Sequence, residues 1–214
     1  MDFFEIRNWF AHRFCECFKE GNRESLEILK LICEVILNGK ALVPSERINP
    51  ETVEEVVSSF PLVREEGGVL FMGPLDSITE EYLKEKAIRY LRFLNGKKLE
   101  PVGEDVFKTV SLSVEMFKEG LFFEVHEMLE ELWSNTFTEE REFLQSLIQI
   151  GVAFYHRDNF NQRGYVLLLE NALELLEKYD GVICGINIAA LKENIKKAME
   201  NSDYDHRNLF KSSL

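Results

Sequence analysis

Long apolar runs are missing from this 214-residue chain. None approaches the roughly 20 consecutive apolar residues that a membrane helix needs. The opening stretch MDFFEIRNWFAHRF sets charges among its aromatics and lacks the apolar core of a secretory leader. A cytoplasmic location is therefore expected. Cysteine is scarce, with four residues and no CxxC pair, which removes zinc-knuckle and thioredoxin-type redox chemistry. Cys15 and Cys17 lie two apart in a predicted helix and point to different faces, while Cys33 and Cys184 sit in apolar surroundings. Reduced, buried thiols are the expectation. Basic charge is also short, with 25 Lys and Arg against 38 Asp and Glu and a formal net charge of −13. The deficit holds in both halves: 14 basic and 18 acidic residues up to residue 100, and 11 and 20 beyond it. A chain with that balance repels phosphate backbones and anionic lipid at long range. Neither nucleic acid nor a membrane surface is expected as a partner.

What is present is material for a core: 45% hydrophobic residues, including 17 phenylalanines. Apolar spacing predicts helices over residues 3–19 and 23–38, the second stopped by Asn38-Gly39. Asn49-Pro50 then opens a short helix to about Ser59, a capping side chain followed by proline at the first helical position. In FPLVREEGGVLFMGP two short apolar runs flank Glu65-Glu66-Gly67-Gly68 and predict a β-hairpin. A helix from about Thr79 to Leu94 follows. The element order suggests a small, winged-helix-like α+β module over residues 1–96. Its would-be recognition helix, PETVEEVVSS, has no Lys or Arg, which opposes DNA reading and weakens a transcription-regulator role.

Gly, Pro and charged residues make 97–104 the expected linker. Residues 105–214 then read as helical throughout, with segments at 105–119, from Gly120 to Trp133, from a Thr138 cap to Arg157, 162–178 and 187–201. Short connections between such helices imply an antiparallel bundle. The expected fold is thus mainly α, a small α+β module followed by a helical bundle.

The candidate site lies in GLFFEVHEMLEELW. At about 100° per residue from Phe122, His126 falls near 40° and Glu130 near 80°, between Trp133 and Phe123 at the edge of the apolar arc. Glu124, Glu127 and Glu131 project to the opposite side, so Glu124 and Glu131 are expected in solvent. A carboxylate at the edge of a buried face needs a partner. His126 supplies one, and a metal ion would satisfy both residues. HEMLE shares the start of the zincin HExxH pattern but has Glu130 in place of the second histidine, and it inverts the ExxH spacing of di-iron bundles. In the next helix Gln145, Gln149 and His156 form a narrow uncharged stripe opposite a wide apolar arc.

FKEGLFFEVHEMLEELW, FLQSLIQIGVAFYH and NFNQRGYVLLLENALELL together resemble the domain-of-unknown-function family 309 over about residues 107–176. The match falls on Gly120, His126, Glu127, Glu130, Trp133, Gln145, Gln149, His156 and Gly164, with a departure at Tyr165, where a small residue is usual. The resemblance implies a compact helical bundle and no particular activity.

Two functional readings stay open. One is a binding or scaffold protein whose polar pocket of His126, Glu127, Glu130, Trp133, Gln145, Gln149 and His156 fixes a partner or a self-association. The other is a metal- or small-molecule-dependent enzyme in which His126, Glu130 and His156 hold a divalent ion. No phosphate-binding loop, nucleophile elbow or dinucleotide fingerprint points to a substrate.

Overall fold

The computed structural model describes residues 3–44, 48–95, 97 and 99–211. The chain divides into two compact units, Met1–Pro101 and Val102–Leu214.

In the first unit, α1 (Phe3–Glu20) and α2 (Arg23–Asn38) are joined at Gly21, whose φ of 69° reverses the chain. Asn22 caps α2 by accepting from the Glu24 and Ser25 amides at 3.0 and 3.1 Å. The Gly39 amide closes α2 on the Val35 carbonyl. Strand β1 (Lys40–Leu42) follows, then α3 (Pro50–Ser59), β2 (Val63–Glu66), β3 (Val69–Met72) and α4 (Ser77–Leu94). Asn49 caps α3 with Pro50 at its first position. The hairpin turns on Gly67 and Gly68, both at positive φ, as a tight two-residue connection requires.

The sheet is antiparallel with order β1-β3-β2. Its third strand, β1, is absent from the sequence expectation. Three residues carry no readable alternation, and only pairing with distant β3 makes them a strand. Aromatic rings fill the core: Phe14 stacks on Tyr90 at 4.5 Å and meets Phe93 at 5.4 Å, while Phe60 packs on Trp9 and Phe10. Cys15, Cys17 and Cys33 are free thiols in this core, and burial pushes the Cys17 thiol up to about 12.

The second unit contains α5 (Val106–Lys118), α6 (Phe122–Asn135), α7 (Glu140–Asp158), α8 (Gln162–Leu176), β4 (Val182–Ile183), β5 (Ile186–Asn187), α9 (Ile188–Glu200) and a 3-10 turn at His206–Asn208. The β4–β5 hairpin corrects the all-helical expectation. It turns on Cys184 and Gly185, both at positive φ. Thr138 does not cap α7 through its side chain. The helix starts at Glu140, and the Thr138 hydroxyl instead holds the Glu140 carboxyl below its usual range.

Phe117 is a hub, with Phe122, Phe154 and Phe210 at 4.9, 4.9 and 5.0 Å. Tyr165, where the family resemblance leads to a small residue, is buried against Phe154 and donates its hydroxyl to the Ala198 carbonyl at 3.1 Å. The large side chain thereby fastens α8 to α9.

His206 sits on the edges of Phe117 and Phe122, and its Nε2–H donates to the Lys118 carbonyl at 3.1 Å. Burial holds its pKa below the ordinary 6.5, because the charged ring is disfavoured there. A folded-state pKa below the unfolded one means that the unfolded chain binds more protons. This contribution to stability is therefore complete above pH 6.5 and is lost as pH falls below it. Urea midpoints taken from pH 7.5 to 5.5 are expected to fall, and His206→Gln is expected to flatten that part of the profile. An unchanged slope in His206→Gln would assign the pH response to other groups.

Candidate metal-binding cluster on helix α6

Helix α6 leaves α5 through Gly120, at φ 75°, and packs against both α5 and α7. Its course along α7 is antiparallel. Phe122 meets Phe154, Phe123 meets Tyr155, and Arg141 lies over the Trp133 ring at 4.0 Å. Gly151 permits the close crossing, since a Cβ there would lie 3.1 Å from Val125 Cγ1 and 3.3 Å from the Phe122 carbonyl oxygen. Arg141 also donates to the Trp133 and Thr136 carbonyls at 2.8 and 2.7 Å, holding the C-terminal turn of α6. The sequence gives little warning of this clamp, because it joins residues on opposite sides of a turn.

On this rigid helix His126 turns both ring nitrogens to carboxylates. Nδ1 lies 3.1 Å from Glu127 Oε1, and Nε2 lies 3.4 Å from Glu130 Oε2. Phe123 flanks the imidazole, ring centres 5.8 Å apart. One potential ligand atom from each of His126, Glu127 and Glu130 falls within 4.8 Å of the others. The side chains are graded in exposure, 23% for His126, 36% for Glu127 and 53% for Glu130. The cluster thus opens to solvent on one side. Imidazole and carboxylate donors at this spacing suit a borderline or hard divalent ion such as Zn²⁺ or Mn²⁺.

Two expectations change. Glu124, expected in solvent, is fully buried, and Glu130, expected at the edge of the buried face, is exposed. With helices on two sides of α6 the buried arc is wider than its apolar stripe, and it turns past Val125 and Met128 to take in Glu124.

His156 lies outside the cluster that contains His126 and Glu130. Its Nδ1 faces the Asn161 amide nitrogen at 3.1 Å, and the Asn161 oxygen accepts from the Gly164 amide at 3.0 Å. The second bond fixes the Asn161 orientation, so the first makes His156 Nδ1 an acceptor and leaves its proton on Nε2. A Cβ at Gly164 would lie 2.8 Å from Asn161 Nδ2 and 3.1 Å from His156 Cδ2, so glycine makes room for this arrangement. His156 thus braces the α7–α8 turn. Gln145 and Gln149 are half-buried on α7. The Gln149 Oε1 and Trp133 Nε1 atoms are buried and meet no hydrogen-bond partner among the described residues.

The second unit is therefore a helical bundle domain carrying one imidazole and two carboxylates together on a single helix. A domain of unknown function, DUF309, is found at residues 111–168, which take in the cluster, the α6–α7 crossing and the His156–Gly164 brace. No curated protein and no solved structure matches the chain. No described helix is long and apolar enough to cross a membrane.

Proposed function

We propose that this is a binding protein whose C-terminal bundle takes a divalent cation through His126, Glu127 and Glu130. The observation that carries the reading is the convergence of three ligand atoms within 4.8 Å from positions i, i+1 and i+4 of one helix. A single helix face supplies only part of a coordination shell, so the remaining positions stay open to water or to a group from a bound partner. The chain's net charge of −13 favours cations over anions at this face.

Calorimetric titration of chelator-treated protein with Zn²⁺ and with Mn²⁺ tests the reading. One ion per chain is expected for at least one of the two metals. His126→Ala and Glu130→Gln are each expected to weaken that ion's affinity tenfold or more. At a free metal concentration 100 times Kd, binding linkage should add about 2.7 kcal/mol to stability. Absence of stoichiometric heat together with an unchanged unfolding midpoint would leave the cluster as a surface group of polar side chains and end the proposal.

A further inference from the structure

The first unit holds a groove of about 850 Å³ between α3, the end of β1 and the β2–β3 hairpin. Its apolar lining includes Leu42, Val43, Val53 and Val57, and its acidic lining includes Glu54 and Glu65. Leu42 is 72% exposed although it belongs to a strand. Val53 and Val57 stand one turn apart on α3, the first nearly buried and the second half-exposed along the groove.

Among the described residues the charged side chains that line this apolar surface are Glu54 and Glu65, while the nearby Glu55 is paired with Arg13 of α1 at 2.5 Å. Between Asn49 and Gly73 there are five glutamates, all exposed, and a single basic residue, Arg64. Arg64 lies 3.6 Å from Glu66. On the hairpin, Glu65 is held in place by the Gly68 amide, which donates to it at 2.6 Å.

We infer that this groove docks a polypeptide segment of another protein, one that carries apolar side chains flanked by Lys or Arg. The apolar lining calls for buried side chains, which a purely ionic ligand lacks. The glutamates select basic flanks and reject acidic ones, because like charges brought together across an interface are costly. The same selection disfavours nucleic acid and also a second copy of this chain, whose own net charge is −13. An amphipathic helix laid along α3 would place apolar residues at i, i+3, i+4 and i+7 against Leu42, Val53 and Val57, with its basic residues towards Glu54 and Glu65.

The test uses the full chain and a fluorescein-labelled synthetic amphipathic helix of leucine, lysine and alanine, with fluorescence anisotropy as the readout. Wild type is compared with Val57→Lys, Glu54→Lys and a control of equal charge change in the other unit, Glu174→Lys. Glu54 is exposed on α3, so Glu54→Lys reports on the groove even if Val57→Lys fails to fold. The expected result is affinity reduced tenfold or more in both groove variants and less than twofold in Glu174→Lys. Equal loss in all three variants would reduce the effect to net charge and overturn the proposal. So would unchanged affinity in Glu54→Lys. A wild-type dimer that dissociates in Glu54→Lys, or preferential binding of a DNA duplex, would replace the stated partner and overturn it as well.

Discussion

Phe117→Ala is expected to lower the unfolding free energy of the C-terminal unit by about 3–5 kcal/mol, the range for emptying a large aromatic site in a packed core. Phe117 is 1% exposed, and its ring meets those of Phe122, Phe154, His206 and Phe210. Those contacts come from α6, α7 and the C-terminal segment, so removing one ring loosens three elements at their common point. Collapse into the void is limited because Phe122 and Phe154 hold each other and Phe154 is held in turn by Tyr165. Phe117→Leu keeps most of the volume and should cost less than about 1.5 kcal/mol. Urea denaturation of the two variants checks both values, and equal losses would show that ring shape rather than filled volume is what the site requires. Because Phe122 opens α6, the alanine variant should also weaken divalent-ion binding at His126 four residues further on, if that binding depends on a rigid helix.

Most helix starts are legible because they are written in local chemistry, α6 and α7 excepted, which have no side-chain cap. Asn22, Asn49, Asp76, Asp105 and Asn161 each accept an amide hydrogen at the start of a helix. Gly67-Gly68 declares its hairpin just as directly. The strands absent from the sequence expectation are too short to show alternation, one paired with a distant strand and the other with its immediate neighbour. Lys40–Leu42 becomes β1 only through Val69–Phe71, and Val182–Ile183 becomes β4 through a two-residue turn on Cys184-Gly185.

The candidate site shows the same division. That His126 and Glu130 share a helix face follows from spacing alone, and the structure puts them 3.4 Å apart. The part played by Glu127 does not follow, because adjacent residues diverge by about 100° on a helical projection. Its flexible side chain nevertheless returns to within 3.1 Å of His126 Nδ1. Glu124 was misplaced for a different reason. A projection ranks residues around one helix and says nothing about how many neighbours cover it. For His156 a local signal was available: an asparagine five residues ahead, at the start of the next helix, is within reach of its ring.

Asn194→Ala is expected to cost about 2–3 kcal/mol, with the loss concentrated in the C-terminal segment. Asn194 is 7% exposed on α9, and its Nδ2 donates towards the carbonyls of Asn208, Leu209 and Lys211 at 3.3, 3.0 and 3.0 Å. Two hydrogens serve three acceptors, so one bond is shared. The carbonyls belong to the end of the 3-10 turn and the residues after it, and Leu209 among them is fully buried. Alanine removes the donor and leaves those acceptors to find water. Asn194→Asp should be worse, because an acceptor-only carboxylate would then face three carbonyl oxygens away from solvent. Hydrogen exchange at residues 206–211 should rise well before exchange within α6 and α7, which would locate the opening in the tail. His206 lies in the same tail and is tied by its ring to Phe117 and by its Nε2 to Lys118. If the two anchors act as one unit, Asn194→Ala should also flatten the fall in stability below pH 6.5, since a released His206 titrates alike in both states. A preserved pH slope in Asn194→Ala would instead show that His206 holds its place on Phe117 without the α9 anchor.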